Sequence, residues 1–199
     1  MNKQFAVLGL GSFGRSVALS LEKMGCDVMV VDDSYEKIQE ISDKVSYAMK
    51  ADVTDKDALQ ALGARNLDGV VVAISEHPEA NIMATLLCKE MGIPLVVAKA
   101  KDKLQGTILE KVGADSVVYP EIEMGSRIAK NMVANEFTDW IELSNDYSIV
   151  EIAVPRRWEG KNLAELDVRK KYGITVVGVM QGEKMDISTY LIRMVPLTT

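Results

Sequence analysis

Residues 5–14 read FAVLGLGSFG and place Gly9, Gly11 and Gly14 in a GxGxxG pattern. The pattern directly follows an apolar run and opens a segment with helical periodicity. In such a unit the first glycine permits a tight turn, the second lets the backbone approach a phosphate, and the third lets helix and strand pack closely. The stretch therefore predicts the first strand and helix of a phosphate-binding α/β sheet.

An acid stands where this pattern requires one. Asp32 follows the next apolar run, Val28–Val31, and lies 21 positions after Gly11, with Asp33 beside it. A carboxylate at the end of the second strand accepts hydrogen bonds from ribose hydroxyls, and the second acid disfavours the 2′-phosphate of NADP. The alternative is a glycine set that only packs helix against strand, without a ligand.

The first two-thirds of the chain alternate strand and helix signals. Near-continuous apolar strands indicate burial on both faces, and therefore a parallel sheet with crossover helices. Six such units predict a doubly wound Rossmann sheet of the α/β class. The predicted strands are Phe5–Leu8, Val28–Val31, Ser46–Met49, Val70–Ile74, Leu95–Ala98 and Ser116–Tyr119, and the predicted helices begin near Ser12, Ser34, Asp55, Pro78, Asp102 and Glu121.

After about Asn135 the pattern changes to short strands with polar turns. This predicts a small C-terminal α+β lobe, joined by the helix around Glu121–Glu136. Its predicted elements are strands at Trp140–Leu143, Ser148–Val154 and Ile174–Met180 and a helix at Leu163–Tyr172. The predicted domains are a Rossmann domain at 1–120, a connecting helix at 121–137 and a C-terminal lobe at 138–199.

Three further segments end strands at one edge of the predicted sheet, the edge that faces the ligand crevice. Asp52-Val53-Thr54 follows the third strand, where Asp52 either bonds an adenine amino group or only caps a turn. Ala73-Ile74-Ser75 ends the fourth strand at the switch point. Lys99 ends the fifth strand and can pair with a phosphate, pair with an acid such as Glu121, or be solvated.

Composition excludes several classes of function. The net charge is −6 and basic residues form no patch, which argues against a nucleic-acid partner. No apolar run approaches the roughly 18–20 residues that span a bilayer, and the N-terminus lacks a signal-peptide cleavage site, so we expect a cytoplasmic protein. Cys26 and Cys88 have no CxxC spacing, which predicts free thiols.

The chain resembles the RCK (KTN) domains of bacterial Ktr- and Trk-type potassium uptake systems, most of all the Ktr gating-ring proteins. The resemblance covers residues 1 to about 185. It rests on motifs that run in the family's order, namely GLGSFG, VVDD, ADVTD, VVAIS, VAKAKD, LEKVGADSVVYPEIEMG and LDVRKKYGITVVGV. The phrases GADxVVxPE and DVRxKYG are far more specific than GxGxxG.

The resemblance implies a regulatory subunit rather than an enzyme. Such proteins bind ATP, ADP or NAD(H), with ATP or ADP the first choice here. They pair through the helix around Glu121–Glu136, form an octameric ring and gate a membrane K⁺-translocating subunit. The predicted nucleotide-binding set is Gly9, Leu10, Gly11, Ser12, Phe13, Gly14, Asp32, Asp33, Asp52, Val53, Ala73, Ile74, Ser75, Lys99 and Glu121.

Two further ligands follow from the resemblance alone. It implies that Glu121, rather than Glu123, helps to hold Mg²⁺ or Ca²⁺ near the γ-phosphate at a dimer interface. It also implies a cyclic di-AMP site in the C-terminal lobe, where Arg169 would meet a phosphate. That site would be lined by Val168, Arg169, Ile174 and Val176.

Two departures from the family pattern bear on these expectations. Many Ktr-type members have an arginine in the glycine turn that reaches a neighbour's γ-phosphate, where this chain has Ser12; whether Arg15 compensates is open from the sequence. The tail STYLIRMVPLTT lacks the family's last two strands, which predicts a shortened C-terminal lobe.

The main alternative is a small NAD-dependent oxidoreductase, which the same glycine pattern supports. General acid–base chemistry needs a positioned group of suitable pKa, and the chain offers only His77 as a histidine and Lys99 as a second possibility. A third possibility is a Rossmann scaffold that has lost its ligand.

Overall fold

A six-stranded parallel sheet forms the centre of residues 1–126, the first of two compact units; the second is 127–199. The computed structural model describes residues 2–61, 63, 66–133, 137–142, 147–181 and 184–186. The strands are β1 (Gln4–Leu8), β2 (Asp27–Asp32), β3 (Tyr47–Lys50), β4 (Gly69–Val72), β5 (Val96–Lys99) and β6 (Ser116–Val118). The helices are α1 (Ser12–Lys23), α2 (Tyr35–Ile41), α3 (Lys56–Ala61), α4 (Pro78–Glu90), α5 (Lys103–Lys111) and α6 (Pro120–Val133).

The strand order is β3-β2-β1-β4-β5-β6, with every neighbouring pair parallel. The chain runs outward from β1 to β3 and then returns to pair β4 with β1. This reversal is the switch point of a doubly wound sheet, and ligands bind at the carboxyl ends of the strands beside it. The predicted Rossmann architecture is confirmed.

The strands are buried on both faces, as their apolar runs predict. In β1, Ala6 and Leu8 pack into the core cluster of one sheet face, whereas Val7 packs into that of the other. In β2, Val30 and Val31 divide in the same way. Successive side chains of a strand point to opposite faces, so helices must cover both sides of the sheet.

The second unit contains two antiparallel strand pairs and short helices, in line with the predicted α+β lobe. Its elements are β7 (Phe137–Glu142), β8 (Ser148–Ile152), a 3₁₀ turn at Arg156–Trp158, α7 (Leu163–Leu166), α8 (Val168–Tyr172), β9 (Val179–Gln181) and β10 (Lys184–Asp186). Trp158, Leu166, Val168 and Val179 form its buried core. The tail at 187–199, on which the prediction of a shortened lobe depends, lies outside the described residues.

The helix predicted at Leu163–Tyr172 is wrong as one continuous element. The helix is interrupted at Asp167, which adopts a left-handed backbone conformation with φ of 46°. Leu166 and Val168 are both buried in the same core cluster. Two residues that are two positions apart lie on nearly opposite sides of a continuous helix, so burying both together requires the break.

The strand predicted at Ile174–Met180 is also wrong in extent. The structure begins β9 at Val179, and 174–178 have no regular secondary structure. Strand backbone groups need a partner strand. Among the described residues, the ladder with β10 covers only Val179–Gln181. Apolar composition alone therefore overstated this strand.

Candidate functional site

The glycine turn between β1 and α1 has the geometry that its sequence predicts. Gly9 has φ of 96°, in the left-handed region. A Cβ on Gly14 would lie 2.0 Å from the carbonyl oxygen of Gly9, so helix and turn touch there. A Cβ on Gly11 would meet nothing within 4 Å, so open space borders the start of α1. Gly11 also caps α1 without a side-chain hydrogen bond, which leaves the first backbone N–H groups of the helix without a side-chain partner.

Asp32 closes this turn from the neighbouring strand. Its side chain is 5% exposed, and Oδ2 accepts a 2.6 Å hydrogen bond from the Leu10 amide. Oδ1 accepts from the Ser34 amide at 2.9 Å, and the Lys37 ammonium lies 3.4 Å from the carboxylate. The acid at the end of β2 thus lies against the glycine turn, as ribose recognition requires. Asp33 lies beside it and is exposed.

Asp52 follows β3 at the same edge of the sheet and forms a turn. Its Oδ1 accepts from the Thr54 amide at 2.8 Å and from the Thr54 hydroxyl at 2.7 Å. The Thr54 hydroxyl and then its amide hold the pKa of Asp52 below its usual value. The turn-capping role that the sequence left open is therefore present, and the carboxylate stays ionised and exposed at the crevice.

Lys99 is the buried cation of the site. It is 6% exposed at the end of β5, and its ammonium donates to Ser75 Oγ at 2.8 Å and to Glu121 Oε1 at 2.5 Å. The ammonium also lies 5.8 Å from the centre of the Phe13 ring. Of the three roles that the sequence left open, pairing with Glu121 is the one observed. The hydrogen bond from Lys99 lowers the pKa of Glu121.

These side chains border a cavity at the carboxyl ends of β4 and β5. Its lining combines one end of each strand with the first turns of α5 and α6. The lining residues are Ile74, Ser75, Lys99, Lys101, Gln105 and Glu121. A buried lysine beside an open cavity is suited to bind an anion such as a phosphate.

Asn81 is a site residue that sequence reasoning missed. It is fully buried in α4, and its Nδ2 donates to the backbone carbonyl oxygens of Ile74 at 2.7 Å and Lys99 at 2.9 Å. Its Oδ1 is buried without a partner among the described residues. The available signal was a short amide residue within the otherwise buried face of α4, which also carries Ala84, Leu87 and Cys88.

Arg15, one turn into α1, is paired with an acidic residue of α2. Its guanidinium donates to Glu40 on α2 at 2.7 Å, so in this structure it is engaged in an ion pair. Ser12 is exposed at the first position of α1. The turn itself therefore carries no cationic side chain.

The four residues of the predicted second site occupy different environments. Val168 is buried in the core of the second unit, and Val176 packs against the same cluster. Arg169 and Ile174 are exposed. Of the four, Arg169 and Ile174 are therefore the most accessible on a single chain.

A parallel sheet with a glycine turn, a buried acid at the end of β2 and a buried lysine at the end of β5 defines a Rossmann-type nucleotide-binding domain. The family model described as TrkA-N domain matches residues 5–120. The chain belongs to that family. No helix in the described part of the chain is both long and apolar enough to cross a membrane.

Two relatives share most of this chain's length. This chain is 42% identical over 188 residues to the Ktr system potassium uptake protein C of Bacillus subtilis (strain 168). The alignment covers 94% of this chain and 85% of that protein. This chain is 40% identical over 178 residues to the Ktr system potassium uptake protein A of the same organism, which covers 89% of this chain and 80% of that protein.

Solved structures with the same fold include two of the GsuK channel. The one described as GsuK Channel superimposes with a TM-score of 0.73 at 15% identity, covering 98% of this chain and 36% of that one. The GsuK channel bound to NAD gives a TM-score of 0.67 at 18% identity, covering 96% and 36%. At these identities the likeness concerns the fold alone.

Proposed function

We propose that this chain is a nucleotide-binding regulatory subunit of a potassium uptake system. The observation that carries the proposal is the convergence of three sequence-distant features at one edge of the sheet: the open glycine turn, buried Asp32 and buried Lys99. Membership of the TrkA-N family and the similarity to Ktr system potassium uptake proteins support the potassium role.

The nucleotide has a defined place in this proposal. Asp32 would accept hydrogen bonds from the ribose, and Asp52 lies further along the edge on the adenine side. The phosphates would meet the backbone N–H groups at Gly11 and the ammonium of Lys99. ATP or ADP is our first choice and NAD(H) the second; the full set comprises Gly9, Leu10, Gly11, Ser12, Phe13, Gly14, Asp32, Asp33, Asp52, Val53, Ala73, Ile74, Ser75, Lys99 and Glu121.

A divalent cation, if it joins the site, depends on Glu121. The described residues contain no group of three or more acidic, histidine or cysteine side chains that would hold a metal unaided. Mg²⁺ and Ca²⁺ prefer several oxygen ligands. We therefore propose that Glu121 supplies one oxygen, and that phosphate oxygens and the Glu121 of a second copy supply others.

Helix α6 is the proposed pairing element. Four of its large apolar side chains are half-exposed or more, which leaves an apolar helix surface in contact with solvent. They are Ile122, Met124, Ile128 and Met132. We propose that two copies pair through this helix, that the dimers form an octameric ring, and that the ring contacts a membrane K⁺-translocating subunit on the cytoplasmic side.

The proposed division of labour follows the predicted domains. Residues 1–120 would bind the nucleotide, residues 121–137 would connect, and residues 138–199 would carry the cyclic di-AMP site at Val168, Arg169, Ile174 and Val176. A nucleotide shifts such an assembly between states only as far as it binds one state better. Because Glu121 lies at the start of the pairing helix, a ligand at Lys99 is placed to influence that helix.

A thermal-shift titration of the full chain tests the proposal. ATP, ADP, NAD⁺, NADH and cyclic di-AMP are added separately, with and without Mg²⁺, because a ligand that binds only the folded state raises the melting temperature. We expect stabilisation by ATP and ADP, with Mg²⁺ acting on ATP alone. An Asp43→Asn variant, altered at an exposed position between α2 and β3 and outside the proposed set, is the control for Asp32→Asn.

Two outcomes would contradict this proposal. Absence of any shift with all five ligands would leave a scaffold without a ligand. Steady oxidation of NADH with a small carbonyl compound would favour the oxidoreductase, for which the described residues offer one histidine, His77, at the start of α4. Co-purification with a membrane subunit of a Ktr system is the corresponding test of the partner.

A further inference from the structure

The buried amide of Asn81 spans two neighbouring strands just beyond the end of their pairing. The ladder between β4 and β5 ends at the pair Val72 and Ala98. Past that point, the Asn81 amide nitrogen donates to the carbonyl oxygens of Ile74 and Lys99. One side chain thus ties together two chain segments that the sheet no longer connects.

Both segments carry a polar group of the cavity. Ile74 directly precedes Ser75, and Lys99 itself provides the ammonium that contacts Ser75 Oγ at 2.8 Å. The carbonyls that Asn81 holds are therefore within one residue of the two side chains that meet in the site. The amide orientation is fixed by chemistry, because two carbonyl oxygens require two N–H donors.

The position of Asn81 makes this connection rigid. It lies in the first turn of α4, where its backbone N–H donates to the backbone carbonyl oxygen of His77 at 3.1 Å. The backbone carbonyl oxygen of Asn81 accepts from the Thr85 hydroxyl at 2.8 Å. Both Asn81 and Thr85 are fully buried, so α4 presents the amide from a packed helix rather than from a loop.

This placement is not the one that favours stability most. The Oδ1 atom is buried without a partner among the described residues, and an unpaired buried acceptor is unfavourable. An apolar residue would avoid that loss but would leave two strand-end carbonyls without this donor. The amide is therefore better explained by what it positions than by the stability it adds.

We propose that Asn81 is a positioning residue that holds Ser75 and Lys99 in their binding geometry before a ligand arrives. This inference rests on the proposed function, since it assumes that Lys99 meets the phosphates of a nucleotide. Preorganisation lowers the entropy that is lost on binding. Its removal therefore weakens the binding of ligands that carry the group contacted by the preorganised residues, here the phosphates. Asn81 itself touches no ligand in this scheme.

The test compares two ligands and two buried positions in the full chain. ADP and adenosine are titrated by calorimetry into the wild type, Asn81→Ala and Leu87→Ala. We expect Asn81→Ala to weaken ADP about tenfold and to leave adenosine unchanged, because only the phosphates depend on Lys99. Leu87→Ala truncates a buried core side chain further along α4, so it lowers the melting temperature without changing ADP binding.

A second substitution keeps the test decisive if Asn81→Ala folds poorly. Asn81→Ser retains one hydroxyl donor and is expected to lose less ADP affinity than Asn81→Ala. Equal ADP affinity in the wild type and a folded Asn81 variant would overturn the positioning role. A parallel loss of adenosine and ADP would also overturn it, since that indicates general damage. A wild type that binds neither ligand would instead refute the proposed function.

Discussion

The two halves of the sheet's carboxyl edge do different work. In the β1–β3 half, the proposed recognition rests on backbone N–H groups at the start of α1 and on Asp32, whose position follows from spacing along the chain. In the β4–β6 half, it rests on Lys99, Ser75 and Glu121, which meet only through folding. The first half suits what all adenine nucleotides share, and the second suits the charge of their phosphates.

Disrupting the close packing of the glycine turn should have the largest effect of the substitutions considered, and the effect should be on stability. In Gly14→Ala the new Cβ would lie 2.0 Å from the Gly9 carbonyl, so helix and turn must separate. We expect a loss of about 3 kcal/mol or more in the free energy of unfolding, measured by urea denaturation.

Gly11→Ala is the matched control for that substitution. Its Cβ would meet nothing within 4 Å, and the backbone there has φ of −65°, which alanine adopts readily. We expect unchanged stability together with loss of ADP binding, because the methyl group fills the space where a phosphate would approach. A stable Gly11→Ala that binds ADP normally would place the phosphates elsewhere.

Asp32→Asn should have the next largest effect, above all on binding. Because Asn keeps only one acceptor oxygen, the backbone amide of Leu10 or Ser34 also loses its partner, and some stability is lost. The variant keeps the side chain's shape but loses the negative charge that faces the Leu10 amide and the ribose position. We expect ADP and adenosine to weaken together by about 10- to 100-fold, the range of a charged hydrogen bond. Asp43→Asn, at an exposed position outside the proposed set, should bind both ligands as the wild type does.

Lys99→Met separates the second half of the edge from the first. The apolar replacement suits the buried stem, and Glu121, 65% exposed, stays solvated. We expect ADP to weaken about tenfold while adenosine is unchanged. Calorimetry with both ligands is the measurement; equal losses for the two would show that Lys99 does not act on the phosphates.

The smallest effect concerns an ion pair at the opposite edge of the sheet. Asp115 accepts from the Lys89 ammonium at 2.9 Å and from the Val96 amide at 2.7 Å, and the bond from Lys89 is the main cause of its lowered pKa. A carboxyl whose folded pKa is lowered adds stability above its unfolded pKa, and that stability is lost as the pH falls through the folded pKa.

Asp115→Asn should therefore reduce the free energy of unfolding by about 1 kcal/mol at pH 7, since the side chain is one-third exposed. The difference from the wild type should shrink toward pH 3. Urea denaturation at both pH values measures this. A difference that grows on acidification would contradict the ion-pair interpretation, and altered ADP binding would contradict a purely structural role.

The sequence predicted the first half of the edge more completely than the second. Gly9, Gly11, Gly14 and Asp32 act at short, fixed spacings, so local pattern was enough. The contact of Lys99 with Glu121 joins positions 22 residues apart, and the sequence left it as one of three roles. Asn81 gave only a weak signal, an amide residue on the buried face of α4, and the carbonyls that it holds are defined only by sheet packing.

The second unit shows the other limit of pattern reading. Apolar residues at 174–178 resembled a strand, yet pairing partners decide where a strand exists, and the described ladder begins at Val179. Asp167 likewise breaks a helix that its sequence neighbours favour, because Leu166 and Val168 are buried in one core. Both outcomes depend on tertiary contacts that periodicity does not contain.

One measurement tests the central claim most directly: calorimetric titration of ADP and of adenosine into the wild type, Asp32→Asn and Lys99→Met. We expect the wild type to bind both ligands and Asp32→Asn to bind both of them more weakly. We expect Lys99→Met to bind ADP more weakly and adenosine as the wild type does. Wild-type binding that neither substitution changes would contradict a nucleotide site formed jointly by the two halves of this edge.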